Sequence, residues 1–158
     1  MTPACVALDR AGVRYTPHPY EHDPSASSYG LEAAEVLGVE PDLVFKTLMA
    51  RLDSGELVVA IVPVSEMLNL KALAAAFGTK RAEMADVGAA ERSSGYVAGG
   101  ISPFGQRTAR RTAIDESAII CETIFVSGGK RGLDLEISPT EAISLLSAVV
   151  APLTNTSS

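Results

Sequence analysis

The order of hydrophobic, capping and turn residues along the chain predicts short helices interleaved with strands. Helices are predicted where a capping residue or proline opens an apolar segment and a glycine closes it: after Thr2, from about Gly30, after Asn69, after Asp86 and after Ser138. Extended segments are predicted where prolines forbid a helix or where turn residues bound an apolar run: over 13–19, 44–52, 56–64, 123–127 and 133–137. Residues 20–29 are predicted to be a loop.

Two hairpins decide the predicted fold class. A turn over residues 53–55 joins the strands 44–52 and 56–64, and the glycine-rich run 128–132 joins the last two strands. Because hairpin strands run antiparallel, we do not expect a regular doubly wound parallel sheet. We expect an α+β fold, with a mixed, strongly curved β-sheet or barrel surrounded by short helices and the first hairpin at the sheet centre.

No repeat or linker divides the chain, so the sequence predicts one domain over residues 1–153 and a frayed tail over 154–158. The chain has 158 residues and 16.5 kDa, of which 47% are hydrophobic and 20% charged, and this excludes disordered and fibrous classes. Its longest apolar run, 57–64, is far shorter than the roughly 20 residues of a membrane-spanning helix. Residues 1–12 lack the basic start of a signal peptide. We therefore expect a cytoplasmic protein with no membrane partner.

The charge distribution refines this picture. A net charge of −6 argues against binding nucleic acid through bulk electrostatics. Residues 67–111, however, carry seven basic and three acidic side chains, against four and ten in 1–66 and two and six in 112–158. A basic middle third fits an ordinary solvated surface and a local polyanion site equally well.

The cysteines and histidines do not have the spacing of metal ligands. Cys5 and Cys121 have no CxxC or Cys/His neighbour and are expected to be small buried hydrophobes. His18 and His22 are four residues apart, but the flanking prolines exclude the helix that would bring them together. The GxSxG, HExxH, Walker and EF-hand patterns are also absent from the sequence. We predict no metal site and no cofactor.

Polar residues beside flexible backbone mark three candidate segments. Lys46, next to Thr47, stands in an apolar strand where its ammonium needs an anionic partner, unless the strand lies at a sheet edge and the lysine reaches water. The glycine-rich run 99–105 precedes Arg107, Arg110 and Arg111. The glycine-rich backbone and the three arginines indicate a site whose amides and basic side chains bind a phosphate or a carbonyl group. A plain surface loop explains the same residues.

The third segment is the glycine run 128–132, preceded by Ser127 and followed by Asp134. Its amides would stabilise an oxyanion and the carboxylate would bind an amino group, but a tight hairpin with positive φ explains the glycines equally well.

Taken together, five segments resemble the YbaK family of aminoacyl-tRNA deacylases. They are residues 20–24, 45–48, 80–86, 95–107 and 124–137. The similarity runs in one unbroken order over about residues 1–152, and the runs GGISPFGQ and SGGKRGLD are long enough to be specific. Family members are related to the editing insertion domain of bacterial prolyl-tRNA synthetases, so the resemblance implies a barrel-like mixed sheet with surrounding helices.

The resemblance also implies a reaction and a set of site residues. The reaction is removal of cysteine mischarged onto tRNA(Pro), extending to Cys-tRNA(Cys), and Lys46 matches the key lysine of the family. The pocket positions are matched by Tyr20, Tyr29, Thr47, Gly99, Gly100, Ser127, Gly128, Gly129 and Asp134. To these we add Ser102 as a substrate contact and Arg107, Arg110, Arg111, Lys130 and Arg131 as tRNA contacts. Tyr29 departs from the phenylalanine common in relatives, and its hydroxyl is expected to affect fine substrate choice.

The implied chemistry needs no nucleophile from the protein, because a cysteinyl ester carries a thiol with a pKa near 8.5. Family members are thought to let this sulfur attack its own carbonyl, which gives a thiolactone and free tRNA. We expect Lys46 to contact the 3′-terminal phosphate or the ester oxygen, the glycine amides to contact the carbonyl, and Tyr20 and Tyr29 to wall the aminoacyl or adenosine group. The expected partners are the 3′ acceptor end of aminoacylated tRNA and, in a transient complex, prolyl-tRNA synthetase.

Two other interpretations stay open. A deacylase that hydrolyses alanyl or another small aminoacyl-tRNA with water would not depend on sulfur, so it would also act on Ser-tRNA. A non-catalytic module that binds tRNA ends or a synthetase would show saturable binding without release of an amino acid.

Overall fold

The secondary structure follows the interleaved order that the sequence predicts. The computed structural model describes residues 1–26 and 28–155. The helices in that part of the chain are α1 (Pro3–Ala11), α2 (Tyr29–Leu37), α3 (Leu70–Ala76), α4 (Val87–Ser94) and α5 (Pro139–Leu146), with 3₁₀ turns at Pro41–Leu43 and Glu116–Ile120. The strands are β1 (Tyr15–Pro19), β2 (Phe45–Leu52), β3 (Leu57–Pro63), β4 (Ala82–Met84), β5 (Thr112–Asp115), β6 (Ile124–Lys130), β7 (Leu133–Ile137) and β8 (Val149–Ala151). None of these helices is both long and apolar enough to cross a membrane.

Side-chain caps start the helices where the sequence predicts them. Thr2, Asn69, Asp86 and Ser138 each accept a hydrogen bond from the backbone N–H three residues further on. Helix α2 begins one residue earlier than predicted, because Ser28 caps it in the same way. The predicted loop before it therefore ends at its N-cap, and residue 27 of that loop lies outside the described residues.

The strands form two sheets. The larger has the order β4-β2-β3-β5-β8, and the smaller has the order β1-β7-β6. Strands β2 and β3 pair antiparallel as the predicted hairpin, whereas β3, β5 and β8 pair in parallel, so the larger sheet is mixed with β3 at its centre. A parallel bridge between Val44 and Phe125 joins the two sheets. The expected α+β class with a mixed sheet is confirmed, and across the described residues the sheets do not close into a barrel.

Strand β3 is buried on both faces, which explains its continuous apolar sequence. Val59 and Ile61 pack in a cluster with residues of α1, β6 and β7. The residues on the opposite face of β3 pack against Leu73 of α3 and against Phe77, the C-cap of that helix. The larger sheet is therefore covered on both sides, by the smaller sheet and α1 on one and by α3 on the other.

The second glycine run is not the loop that the sequence predicts. Gly128 and Gly129 lie within β6, where the pairing with β7 shifts between Ser127 and Lys130 as in a β-bulge, and only Arg131 and Gly132 form the turn. The hydroxyl of Thr2 donates to the Gly128 carbonyl at 2.5 Å, so the bulge is tied to the start of α1.

The chain end also differs from the prediction. Helix α5 ends at Leu146, and its C-cap Ser147 lies in the left-handed region. Strand β8 follows, and the sequence prediction missed this strand. Thr154, predicted to begin the frayed tail, forms a bridge with Leu68, and the Asn155 N–H donates to the Met67 carbonyl at 3.1 Å. The rest of the predicted tail, residues 156–158, lies outside the described residues.

Candidate active site

A cavity of about 300 Å³ opens where the two sheets meet. Eight of the predicted site residues line it, contributed by the end of β1, α2, β2, the loop after α4, β6 and β7: Tyr20, Tyr29, Lys46, Thr47, Gly99, Ser127, Lys130 and Asp134. The remaining lining residues are Ser28, Gly30, Val44, Phe45, Leu48 and Ile101. Residues far apart in the sequence thus meet at one concave site.

Lys46 brings a positive charge to this cavity. It lies on β2 opposite Val62 and is half-buried, and burial lowers the pKa of its ammonium. No carboxylate in the described chain lies within ion-pair distance of it. The anionic partner that a buried lysine needs is therefore not supplied by these residues, and a bound anion fits the position.

Asp134 supplies the opposite charge from β7. Its side chain is buried, with 6% relative exposure, and burial raises its pKa to about 7, an effect that the positive charge of His18 partly offsets. Burial, with the nearby Asp134 carboxylate, also raises the pKa of the Tyr20 hydroxyl to about 12. The cavity therefore holds a carboxylate that changes charge near neutral pH and a neutral phenol.

His18 and His22 are held by carboxylates and not by each other. His18 lies opposite Asp134 in the β1–β7 pairing, with its Nε2 2.9 Å from Glu136 Oε1. His22 Nδ1 is 2.8 Å from Glu32 Oε1. Within residues 1–26 and 28–155 there is no group of three or more His, Cys, Asp or Glu side chains that could hold a metal ion.

A stacked cluster forms the mouth of the cavity. The guanidinium of Arg131 lies 4.6 Å from the centre of the Tyr29 ring, and its Nε and Nη2 donate to the Ala98 carbonyl at 3.0 and 2.7 Å. Gly99, with φ of 85°, lies so close that a Cβ there would be 2.6 Å from the Tyr29 ring. A glycine is therefore required where this loop meets the aromatic side chain.

Two of the predicted oxyanion donors are already satisfied inside the protein. The Gly100 N–H donates to the Val97 carbonyl at 2.9 Å, and the Gly129 N–H donates to the Ser127 hydroxyl at 3.2 Å. A Cβ at Gly100 would lie 2.9 Å from the Lys130 Cα, so this glycine allows the loop to pack on the β6–β7 turn. The prediction that these amides are free for a ligand is wrong.

Comparison with known proteins identifies the family. Residues 23–145 match the aminoacyl-tRNA editing domain. The chain belongs to this family. It is 39% identical over 121 residues to EbsC of Enterococcus faecalis (strain ATCC 700802 / V583), a protein named for a proposed Cys-tRNA(Pro)/Cys-tRNA(Cys) deacylase activity; the match covers 77% of this chain and 74% of EbsC. It is 26% identical over 110 residues to the uncharacterized protein YwhH of Bacillus subtilis (strain 168), covering 70% and 69%.

Solved structures share the fold of this editing domain. The crystal structure of a proposed trans-editing enzyme for prolyl-tRNA synthetase matches with a TM-score of 0.83 at 22% identity, over 98% of this chain and 96% of that chain. The crystal structure of the hypothetical protein APE2540 matches with a TM-score of 0.86 at 22% identity, over 97% and 99%. The family that the sequence segments resemble is thereby confirmed, and so is the fold.

The other predicted substrate contacts of the editing domain lie behind the cavity wall. Ser102 is fully buried, and its hydroxyl accepts a hydrogen bond from the Phe104 N–H at 3.3 Å. Gly128 is buried in the bulge of β6. Neither residue lines the cavity, so both support the residues that do.

The three arginines after the first glycine run also lie away from the cavity lining. Arg111 forms a bidentate pair with Glu56 at 2.8 and 2.7 Å, so its charge is neutralised. Arg110 Nε donates to the Ser93 hydroxyl at 2.8 Å, and Arg107 packs beside Gly95. Their contact with tRNA stays a prediction, whereas Lys130 lines the cavity of the editing domain and Arg131 lies at its mouth.

Sequence reasoning missed the apolar part of the wall. Val44 precedes β2, and Phe45 and Leu48 lie near Lys46 on that strand. The only signal for them in the sequence is their position beside a charged residue in an apolar segment. Ser28 was detectable as an N-cap, but nothing in the sequence indicates that the start of α2 borders the site.

Proposed function

We propose that this editing domain is an aminoacyl-tRNA deacylase that removes cysteine mischarged onto tRNA(Pro), and acts on Cys-tRNA(Cys) as well. One observation carries the proposal: a single cavity contains the buried Asp134 carboxylate and the Lys46 ammonium, which has no carboxylate partner among residues 1–26 and 28–155. Membership of the aminoacyl-tRNA editing family supports the reaction class, and the name of EbsC supports cysteine as the amino acid.

The two charges complement an aminoacylated 3′ end. Such an end carries negative charge on its terminal phosphate, developing negative charge on the ester carbonyl, and positive charge on the α-ammonium. Lys46 binds the phosphate or the ester oxygen, and Asp134 binds the α-ammonium. A bound ammonium favours the ionised form of Asp134, so substrate binding itself charges the carboxylate.

The substrate supplies the nucleophile. Ser127 in the cavity wall accepts a hydrogen bond from the Gly129 N–H, and neither cysteine of the chain lines the cavity. The cysteinyl sulfur attacks its own carbonyl carbon, a C–S bond forms, and the C–O bond to the ribose breaks. The thiol proton ends on the ribose oxygen, so the products are a thiolactone and free tRNA. The work of the protein is to orient the ester and to stabilise the charge on its oxygen.

The mouth of the cavity suits the rest of the acceptor end. Lys130 and Arg131 are exposed and place two positive charges there, where they meet the phosphates. A chain of net charge −6 makes few further contacts to tRNA, so prolyl-tRNA synthetase, in a transient complex, holds the remainder. Because charged tRNA is a cytoplasmic substrate, this activity belongs in the cytoplasm.

A deacylation panel tests the substrate. Purified protein is incubated with Cys-, Ser-, Ala- and Pro-tRNA(Pro), and release of the amino acid is followed under single-turnover conditions. Cysteine is released rapidly and serine survives, because the hydroxyl analogue lacks the sulfur nucleophile. Rapid hydrolysis of the alanyl or seryl ester with survival of the cysteinyl ester contradicts the proposal and favours a water-dependent deacylase.

Lys46→Ala tests the site. It lowers the rate on Cys-tRNA(Pro) about 100-fold or more, as expected for the loss of one preorganised charge contact. It leaves the thermal unfolding temperature unchanged, since Lys46 has no carboxylate partner to lose in the described chain. Lys71→Ala, which removes the same charge from an exposed position on α3, is the matched control and deacylates at the wild-type rate. A wild-type rate for Lys46→Ala removes Lys46 from the mechanism.

A further inference from the structure

The outer edge of β2 is unpaired where it borders the cavity. Strand β4 pairs with β2 only over Ala50–Leu52, and the bridge from Val44 to Phe125 lies at the other end of the strand. Between these two points, no strand of the described chain pairs with this edge, and residues 45–48 line the cavity. The main-chain groups that point outward here have no ladder partner in the part of the chain that the structure describes.

The pairing pattern shows which residue presents those groups. The Val64 N–H donates to the Val44 carbonyl and the Leu52 N–H donates to the Glu56 carbonyl, so the even-numbered residues of this strand bond toward β3. The Ala85 N–H donates to the Met49 carbonyl at 3.0 Å, so the odd-numbered residues bond outward. Thr47 is odd-numbered and lies midway along the unpaired edge, so its N–H and its carbonyl both point away from β3.

Thr47 also carries a side chain without a hydrogen-bond partner. Its hydroxyl oxygen is buried, and no donor or acceptor of the described chain reaches it. Buried polar groups in folded proteins are nearly always paired, so this hydroxyl is an exception. Unpaired groups of the main chain and of the side chain therefore occur together at Thr47.

We propose that Thr47 holds the aminoacyl group of the substrate as a one-residue extension of the sheet. The Thr47 N–H donates to the ester carbonyl oxygen, and the Thr47 carbonyl accepts from the α-ammonium. An aminoacyl ester has the N–Cα–C=O skeleton of a peptide residue, so it offers a donor and an acceptor with the spacing of a hydrogen-bonded antiparallel pair. This inference rests on the proposed function and specifies which hydrogen bonds hold the aminoacyl group of the substrate.

Two consequences follow for the reaction. The Thr47 N–H stabilises the oxyanion when sulfur attacks, which is the role that the satisfied amides of Gly100 and Gly129 do not perform. This contact involves the α-ammonium and the carbonyl of the amino acid and not its side chain, so it forms with any α-aminoacyl ester. Selectivity for the amino-acid side chain therefore comes from the other residues that line the cavity.

An amide-to-ester exchange at position 47 tests the proposal, because it replaces the N–H with an oxygen and preserves the side chain. The α-hydroxy analogue of threonine is introduced at that codon by nonsense suppression. We expect kcat/KM on Cys-tRNA(Pro) to fall about 10- to 100-fold. The unfolding temperature falls less than in the control below, because the exchange removes no hydrogen bond to β3 and only weakens the Lys46 carbonyl as an acceptor toward that strand. The matched control is the same exchange at Ala50, whose N–H points toward β3 and lies outside the cavity lining; it lowers the unfolding temperature and preserves kcat/KM.

A second measurement separates this inference from the proposed function. The binding of 3′-cysteinylamino-3′-deoxyadenosine, a stable amide analogue of the charged terminus, is measured by calorimetry for wild type and for both exchanged proteins. A weaker affinity at position 47 alone supports the proposal, even where wild type releases no cysteine and the deacylase assignment fails. Equal affinity and equal kcat/KM for wild type and the position 47 exchange overturn it. A fall in unfolding temperature at position 47 as large as at position 50 also overturns it, because that N–H is then paired within the protein.

Discussion

Asp134 makes the stability of the protein depend on pH in the direction opposite to that of an ion-paired carboxylate. Burial raises its pKa to about 7, against about 3.9 in an unfolded chain. The folded protein therefore binds the proton more tightly, and the stability that this contributes is full below pH ~4 and is lost as pH rises through ~7. A difference of about three pH units at about 1.36 kcal/mol each gives up to about 4 kcal/mol. We expect the free energy of unfolding to fall by up to that amount between about pH 4 and pH 8.

Other carboxylates act in a separate pH window. Hydrogen bonds from Thr123 and His18 lower the pKa of Glu136, and the side chain of Arg111 lowers that of Glu56. For both groups the folded pKa is depressed, so their stabilisation is present above the ordinary glutamate value and is lost only as pH falls below about 4.3. A decline in stability on the neutral side of that value therefore does not come from Glu136 or Glu56, and the comparison with Asp134→Asn assigns it to Asp134.

The assay is urea denaturation of wild type and Asp134→Asn at a series of pH values from about 4.5 to 8. The asparagine is neutral at every pH in this range, so the free energy of unfolding of the variant does not decline as pH rises. Burying the amide changes that free energy by the same amount at each pH, so it does not affect the slope against pH, which is the quantity compared. Asp115→Asn is the matched control. Asp115 is equally buried, but its carboxylate accepts hydrogen bonds from the Leu153 and Ser117 amides, so this variant retains the wild-type decline. A wild-type profile that is flat over this range, or an unchanged decline in Asp134→Asn, refutes the reasoning.

Two further predictions concern the loop after α4, which contributes Gly99 to the cavity lining. Gly100→Ala should lower the free energy of unfolding in urea by about 1–3 kcal/mol, because its Cβ meets the Lys130 backbone; Gly88→Ala in α4, whose Cβ meets side-chain atoms of Arg92 and Asp86 and no backbone, should not, and a similar loss in both would contradict the packing argument. Arg131→Ala should raise KM for Cys-tRNA(Pro) several-fold, by roughly 1 kcal/mol of lost binding, since it frees the loop at Ala98; Arg10→Ala removes the same charge from an exposed position at the end of α1 and should leave KM unchanged, so equal effects would favour bulk electrostatics.

Local chemistry made most of the fold predictable. Helix starts follow from side chains that bond amides three residues away, and the β2–β3 hairpin follows from two apolar runs around a short turn, so each is encoded in one short, continuous segment of the chain. Strand β8 was missed because its three residues gain their structure from pairing with β5, a contact that no local pattern reports. The bulge in β6 was missed for the same reason, since the Thr2 hydroxyl that holds Gly128 lies 126 residues away.

The site was predictable as a set of residues and not as an arrangement. Resemblance to a family selected Lys46, Asp134 and their neighbours, because the residues that line a pocket remain visible in its sequence motifs. Hydrogen bonding within the protein was not visible: the Gly100 amide is used in its own turn, and Arg111 is paired with Glu56, 55 residues away. The open edge of β2 depends on where β4 stops, which is a property of strand length and not of any single residue.

The pairing of β1 with β7 has a consequence for biosynthesis. Among the described residues, Tyr15 to Pro19 pair only with Leu133 to Ile137. Residues of β7 and of the end of β1 line the cavity. A growing polypeptide on the ribosome thus exposes an unsatisfied N-terminal strand until residue 137 has emerged from the exit tunnel. No partly synthesised copy contains a complete cavity, so catalytic competence arises only after release of that segment, and a truncated product lacking β7 would be inert.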